Sequence, residues 1–342
     1  MSVAETESSA QSPSQRFAEA LTLIPEISQV EEIIRSSFQS DVAPMRDIPS
    51  YLLSLGGKRI RPALTLLCAK ALGTSSISKP LLDVAAGIEL IHMATLMHDD
   101  IIDQSPIRRH KPSPYARYGT PLTLLSGDFL LTRAFGLCAK LDHTIINATE
   151  QACIELVEGE ALETPLYAEQ HTLTTSLTIA QRKTASLFRL AAFCAGHLSS
   201  CSPETLRALS EFGESLGIAF QLIDDILDVT ATEEILGKQP GIDIIERKPS
   251  VVNVLWLQSG SPGAQRLLQS PTSVLDDKAY VVESLRELQH SPVLPEAKLL
   301  ARQYGAKARS ALEAGLASNC GHDQKAAKAL VAVIEFALDR LN

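Results

Sequence analysis

The chain is 342 residues long and 45% hydrophobic, which suits one large domain or two ordinary ones with ample core. Its 31 Lys and Arg fall short of its 40 Asp and Glu, so the net charge is -9 and the surface field gives no reason to propose nucleic acid as a partner. No uncharged apolar run is long enough to cross a bilayer, so a soluble, cytoplasmic protein is expected, for which only peripheral membrane contact is open.

Residues 1–15 are rich in Ser, Gln and Glu and hold no Arg or Lys, the composition of a disordered tail and not of a signal or transit peptide. From residue 16 to residue 342 helical periodicity runs almost everywhere, without convincing strand alternation, and predicts a single all-α domain. Helices are expected over 17–38, 48–55, 62–72, 81–103, 123–141, 145–162, 173–198, 203–229, 250–257, 277–288 and 295–341, the last broken near 315–323. Loops fall at 73–79, 104–120, 230–249 and 258–274. The cysteines (Cys68, Cys138, Cys153, Cys194, Cys201, Cys320) are scattered without Cys-x-x-Cys spacing and read as buried thiols of a reducing compartment.

Gly56-Gly57-Lys58-Arg59-Ile60-Arg61-Pro62 puts a glycine pair before three cations, a backbone able to approach an oxyanion closely, with Pro62 at a helix start. The helix over 81–103 is apolar on nearly every side, as a helix buried in the middle of a helical protein is, yet it ends in Asp99, Asp100 and Asp103. Asp99 and Asp103 share a face, on which His92 lies two turns earlier. Gln221-Leu-Ile-Asp-Asp-Ile-Leu-Asp228 repeats the device with Asp224, Asp225 and Asp228. Interior carboxylates demand protonation, basic partners or metal, and two such helices facing each other would hold hard cations such as Mg2+ while leaving positions open for phosphate oxygens. Both aspartate helices run into basic loops, one with Arg108, Arg109 and Lys111, the other with Lys238, Arg247 and Lys248.

The ordered series Gly-Gly-Lys-Arg-x-Arg-Pro, His92, Asp-Asp-x-x-Asp, Arg108-Arg109, Gly127-Asp128, Lys183-Thr184-Ala185, Gln221-x-x-Asp-Asp-x-x-Asp and Gly237-Lys238 resembles the trans-isoprenyl diphosphate synthases, over nearly the whole chain after the tail. The resemblance implies an all-α isoprenoid-synthase bundle around a deep cavity, usually a homodimer, that joins isopentenyl diphosphate to an allylic diphosphate with Mg2+, three ions per site. It implies a catalytic set of Asp99, Asp100, Asp103, Lys183, Thr184, Gln221 and Asp224. Asp99, Asp103 and Asp224 would bind the metal directly, supported by Asp100, Asp225 and Asp228. Arg108, Lys183, Gln221, Lys238 and Lys248 would contact the allylic diphosphate or its metals, and Lys58, Arg61, His92 and Arg109 the isopentenyl diphosphate. Thr184 and the Lys183 carbonyl would lie near the developing cation. The chain departs from the family at His110 and Arg247, where glycine is usual, and in Pro-Ser-Val-Val-Asn after Lys248.

The same resemblance implies that the product tail grows along the first aspartate helix, stopped by bulky residues about one turn before the motif. Ala94 and Thr95 are small and the deeper Ile91, Leu90 and Gly87 are not aromatic, so a product of C20 or longer is expected, of the polyprenyl kind found in quinone tails. The absence of extra residues within 99–103 argues against the plant and common bacterial geranylgeranyl type. A class I terpene cyclase would lack Lys58 and Arg61 and carry a different second metal motif. A non-catalytic partner subunit would tend to lose aspartates, and a di-iron bundle would need Glu-x-x-His pairs.

Overall fold

Ser12 accepts a hydrogen bond from the Gln15 amide while the Gln15 side chain accepts one from the Ser12 amide, and this capping box starts α1 (Pro13–Thr22) inside the stretch expected to be tail. The computed structural model describes residues 12–237, 239–270, 274–319 and 321–339; residues 1–11 of the expected tail, Lys238 and Cys320 lie outside them. The single helix expected over 17–38 is two, α1 and α2 (Ile27–Ser37), because Pro25 has no N–H to continue the ladder. Helix α3 (Ala43–Ser54) starts earlier than expected, with proline in its first turn, where the missing N–H costs nothing.

α4 (Ile60–Ala71) follows the glycine pair, and α5 (Lys79–Ile102) carries the first aspartates. Where a plain loop was expected, β1 (Ile107–Arg108) pairs with β2 (Lys111–Pro112) as a small antiparallel hairpin, Arg108 opposite Lys111. α6 (Pro114–Tyr118), α7 (Thr120–Cys138) and α8 (His143–Leu162) come next. The helix expected over 173–198 is α9 (Leu173–Ile179), one π-helical turn (Ala180–Ala185) and α10 (Ser186–Leu198). α11 (Pro203–Thr230) ends in the second aspartates. Two short helices, α12 (Glu233–Leu236) and α13 (Ile242–Ile245), stand in the loop before α14 (Val251–Gln258). After a 3-10 turn (Ala264–Leu268) the chain ends in α15 (Val274–Gln289), α16 (Val293–Ala317) and α17 (Gln324–Asp339).

The fold is therefore all-α apart from the hairpin. One hydrophobic cluster gathers α1, α2, α4, α5, α10 and α17; a second gathers the C-terminal half of α11 with α14, α15 and α16. Side chains such as Leu64, Leu66, Ile88, Leu90, Phe212 and Trp256 are at most 1% exposed, and burying each contributes roughly 1.5–3 kcal/mol. α5 is long and apolar enough to cross a membrane, but most of it is buried inside the bundle. Among the described residues the five cysteines are free, Cys68, Cys138 and Cys194 buried and Cys153 and Cys201 half-buried. The aspartate ends of α5 and α11 line one cavity from two sides.

Candidate active site

A cavity of about 720 Å³ opens between these helix ends. Lys58, Arg59 and Arg61 line it from the start of α4; Glu89, His92, Thr95, Leu96, Asp99 and Asp103 from one face of α5; Arg108 and Arg109 from the hairpin; and Phe220, Gln221 and Asp224 from α11. A neighbouring cavity of about 300 Å³ shares Lys183, Thr184, Gln221 and Asp224 and adds Asp225, Asp228, Asp243 and Lys248.

Within each triplet the carboxylates have different surroundings. Asp99 and Asp103 face the main cavity, whereas Asp100 is 0% exposed and accepts from Arg108 Nε at 2.9 Å and Nη2 at 2.7 Å, which aims the arginine. On α11, Asp224 faces the main cavity. Asp225 accepts from Gln221 Nε2 and from the Val251 amide, both at 2.9 Å, and Asp228 accepts from the Asp243 amide at 3.1 Å. Asp225 and Asp228 thus tie the 241–251 loop to α11. Burial pushes the Asp99 carboxyl up to about 7, with Lys183 opposing and Glu160 reinforcing the shift.

Lys183, Lys248 and Arg59 are already engaged with acids, and Lys58 and Arg61 with aromatic rings. Lys183 lies 2.7 Å from Glu160 and pairs with Glu163; burial alone would lower its pKa, but Glu163, Asp99 and Glu160 outweigh it and hold the ammonium charged. Lys248 reaches Asp103 at 3.1 Å and Glu246 at 3.0 Å, bridging the two aspartate loops. Arg59 pairs with Glu31 and Glu89, each at 3.2 Å. Arg61 stacks over Phe188 at 4.8 Å, and Lys58 over Phe336 at 4.3 Å, which itself stacks on Phe17 at 4.5 Å. Burial, then Arg61, Arg108, Arg109 and Arg59, drive the His92 pKa well below the ordinary value, so its imidazole is neutral.

Lys183 and Thr184 sit in the π-helical turn, which widens the helix and re-aims its backbone groups; Thr184 Oγ1 donates to Gln221 Oε1 at 2.5 Å. Two glycines let neighbouring helices hug this turn. A Cβ at Gly159 of α8 would stand 2.5 Å from the Lys183 nitrogen, and one at Gly217 of α11 2.5 Å from Ala185 Cα. Gly159→Ala is therefore expected to shift the Lys183 backbone and lower turnover by ~10–100-fold, since a displacement near 1 Å is enough for that. Steady-state kinetics beside thermal melting checks it, and unchanged turnover would show that the turn tolerates displacement.

The hairpin tip places Arg109 and His110 at φ 52° and 62°, the left-handed pair of a two-residue turn that glycine would adopt freely. The His110 amide donates to the Gly237 carbonyl at 3.1 Å, joining the hairpin to the loop after the second aspartates. His98 lies 3.5 Å from Asp128 and over Gly127, a packing contact between α5 and α7.

Of the three residues expected along the tail path, Thr95 lines the cavity, whereas Ala94 and Ile91 do not: they are 0% and 1% exposed and lie off the cavity face of α5. The sequence reading passed over Glu160, Glu163, Glu246, Glu89 and Phe336. The signal for Glu160 and Glu163 was a Gly-Glu-x-x-Glu run beside apolar residues on one helix, the spacing that puts two carboxylates on one face. Glu246, Glu89 and Phe336 carry no local pattern.

The polyprenyl synthetase family profile matches residues 42–287. The octaprenyl diphosphate synthase of Escherichia coli is 37% identical over 247 residues, covering 70% of this chain and 75% of that protein. The nonaprenyl diphosphate synthase of Mycobacterium tuberculosis is 32% identical and covers 92% of each. A polyprenyl synthase from Caulobacter crescentus, crystallised with calcium and isoprenyl diphosphate, superposes with a TM-score of 0.86 at 29% identity over 95% of this chain and 98% of that one. With the family profile spanning most of its helices, and relatives of this identity along nearly its whole length, the chain belongs to the polyprenyl synthetase family.

Proposed function

We propose that the protein is a Mg2+-dependent prenyltransferase that condenses isopentenyl diphosphate head to tail with an allylic diphosphate, giving a trans-polyprenyl diphosphate of C20 or longer. The observation that carries this is a single cavity that sets Asp99, Asp103 and Asp224 against Lys58, Arg61 and Arg109 and includes Leu96, Leu156, Leu187 and Phe220 in its wall. The long products named for the octaprenyl and nonaprenyl relatives support the upper part of the length range.

The donor set fits Mg2+. Asp99, Asp103 and Asp224 are hard oxygen donors, and the burial that lifts Asp99 to about 7 is a desolvation penalty that a divalent cation would relieve. Among the described residues no three His, Cys, Asp or Glu side chains converge into a closed cage, so a cation would complete its shell with diphosphate oxygens and water, as Mg2+ commonly does. The calcium and isoprenyl diphosphate named for the Caulobacter crescentus structure agree with such a site. Three ions, held by Asp99, Asp103 and Asp224, would neutralise charge on the departing diphosphate.

The chain's own groups do the rest. Arg108, steadied by Asp100, and Lys183, Lys248 and Gln221 hold the allylic diphosphate, and in this reading Lys238 joins them. Lys58, Arg61, Arg109 and the neutral His92 hold isopentenyl diphosphate. The Thr184 hydroxyl and the Lys183 carbonyl face the carbon on which positive charge develops. Leu96, Leu156, Leu187 and Phe220 exclude the water that would capture it. No protein nucleophile is needed; placement of the double bond directs the attack, and the departing diphosphate accepts the proton.

The test is to incubate the protein with Mg2+, labelled isopentenyl diphosphate and, separately, geranyl, farnesyl and geranylgeranyl diphosphates, then resolve product lengths. A linear ladder ending at one length is expected. No incorporation with any primer would sink the proposal.

The reading includes a homodimer. α7 and α8 expose Leu124, Leu125 and Phe135 (42–53%) and Ile154 and Val157 (44% and 65%), an apolar area of the kind that marks an interface. Leu125→Glu combined with Val157→Glu is expected to convert a dimer into a monomer of unchanged helicity. Light scattering after size exclusion reads it, and an unaltered mass would move the interface elsewhere. Free thiols agree with a cytoplasmic setting.

A further inference from the structure

Arg247 is 2% exposed and lines neither cavity, yet it adjoins Lys248, which lines the smaller one. Its backbone is held at φ 58°, a left-handed conformation that glycine adopts freely and a side chain resists. A buried guanidinium in a disfavoured backbone persists only where its contacts compensate.

Its contacts with the described residues fasten the loop. Nη1 donates to the Ile244 carbonyl at 2.5 Å, which also accepts from the Arg247 amide at 3.3 Å, and to the Ile245 carbonyl at 3.2 Å, both at the end of the four-residue α13. Nε donates to the Gln269 carbonyl at 3.4 Å, and the guanidinium lies 5.0 Å from the centre of the Tyr280 ring, which stacks in turn on Trp256. The Arg247 carbonyl accepts from the Leu166 amide at 2.8 Å, beyond the end of α8. The next residue is fixed on both sides: the Lys248 amide donates to the Asp243 carbonyl at 2.9 Å, and its carbonyl accepts from Asn253 Nδ2 at 3.0 Å. From that anchored backbone Lys248 Nζ spans to Asp103 on the opposite aspartate helix.

We infer that Arg247 is a positioning residue for the reaction: by tying the carbonyls of α13 to the Gln269 carbonyl and the Tyr280 ring, it aims Lys248 across the cavity and so sets the affinity for the allylic diphosphate. This rests on the reading of Lys248 as an allylic diphosphate contact. Arginine suits the task because its planar fork serves several carbonyls at once, which a lysine ammonium cannot do from the same place.

A double-mutant cycle tests it. Arg247→Gly, which relaxes the backbone while removing the fork, is expected to raise KM for the allylic diphosphate by ~10-fold, with kcat and KM for isopentenyl diphosphate within ~3-fold of wild type. Lys248→Met raises the same KM, and adding Arg247→Gly to it brings no further increase, because the arginine acts through the lysine. Millimolar guanidinium restores the KM of Arg247→Gly but not that of Lys248→Met. Arg247→Lys, which keeps charge and bulk, behaves like the glycine variant and supplies the cycle if glycine melts too low to assay. Additive increases in KM, an unchanged allylic KM, or losses in kcat and both KM values that track lost helicity would each overturn the inference. A wild-type protein that incorporates no isopentenyl diphosphate would instead overturn the reading beneath it, and the inference with it.

Discussion

Asp99→Ala is expected to lower turnover by at least ~10³-fold, and Asp224→Ala by a similar factor, because each removes charge stabilisation from the leaving diphosphate at the moment the C–O bond breaks. The loss should appear in kcat more than in KM, since the interaction strengthens as charge develops. The fold should survive. Asp99 has a folded pKa of about 7 against an ordinary 3.8, so its ionisation is disfavoured in the native state, and metal-free stability falls as pH rises through that interval. Above it the ionised carboxylate is a net liability, and the alanine variant should melt no lower than wild type at pH 8 without metal. Asp100→Ala provides the contrast. It leaves Arg108, whose side chain is 22% exposed at the cavity wall, without the buried carboxylate that aims it, so activity and stability should fall together. Kinetics and calorimetry on the three variants separate these roles. Near-normal turnover by Asp99→Ala or Asp224→Ala would remove the metal-site argument.

The all-α character was legible because periodicity is a local signal and the helices here are long. So was the division within the first triplet, since a 100° step per residue carries Asp100 away from the face shared by Asp99 and Asp103; in the second, Asp228 has the same spacing from Asp224 yet is held with Asp225 to the 241–251 loop. Three kinds of feature were not legible. The split at Pro25 and the π-helical turn at Ala180–Ala185 leave the hydrophobic pattern intact, because either interruption shifts the register by less than a turn. The hairpin after α5 is too short for strand alternation, and Arg109-His110 lacks the glycine that usually marks such a turn. The partners of the cations are distant in sequence: Glu160 and Glu163 reach Lys183 across two helices, and Phe336 reaches Lys58 from the far end of the chain. Arg247 belongs with the last of these, a charge read as available for phosphate that folding buries against Tyr280.

Thr95→Phe is expected to shorten the product sharply while leaving turnover within ~10-fold of wild type, because its ring would enter the cavity one turn below Asp99 without touching the metal-binding carboxylates. On α5 the cavity face runs through Glu89, His92, Thr95, Leu96, Asp99 and Asp103, the three- and four-residue spacing of one helix stripe. Ala94 and Ile91 lie on the packed side, the side on which Gly87 meets Cys138 and the Ala134 carbonyl of α7. A phenylalanine at Ala94 overfills a position that is 0% exposed, at a cost of ~1–3 kcal/mol, and its first expected effect is a lower melting temperature. The product ladders of the two variants then locate the growing tail. Shortening by Thr95→Phe puts the hydrocarbon along the cavity stripe. Shortening by Ala94→Phe with an unchanged Thr95→Phe ladder would put it between α5 and α7, in a passage that opens only when the product pushes those helices apart.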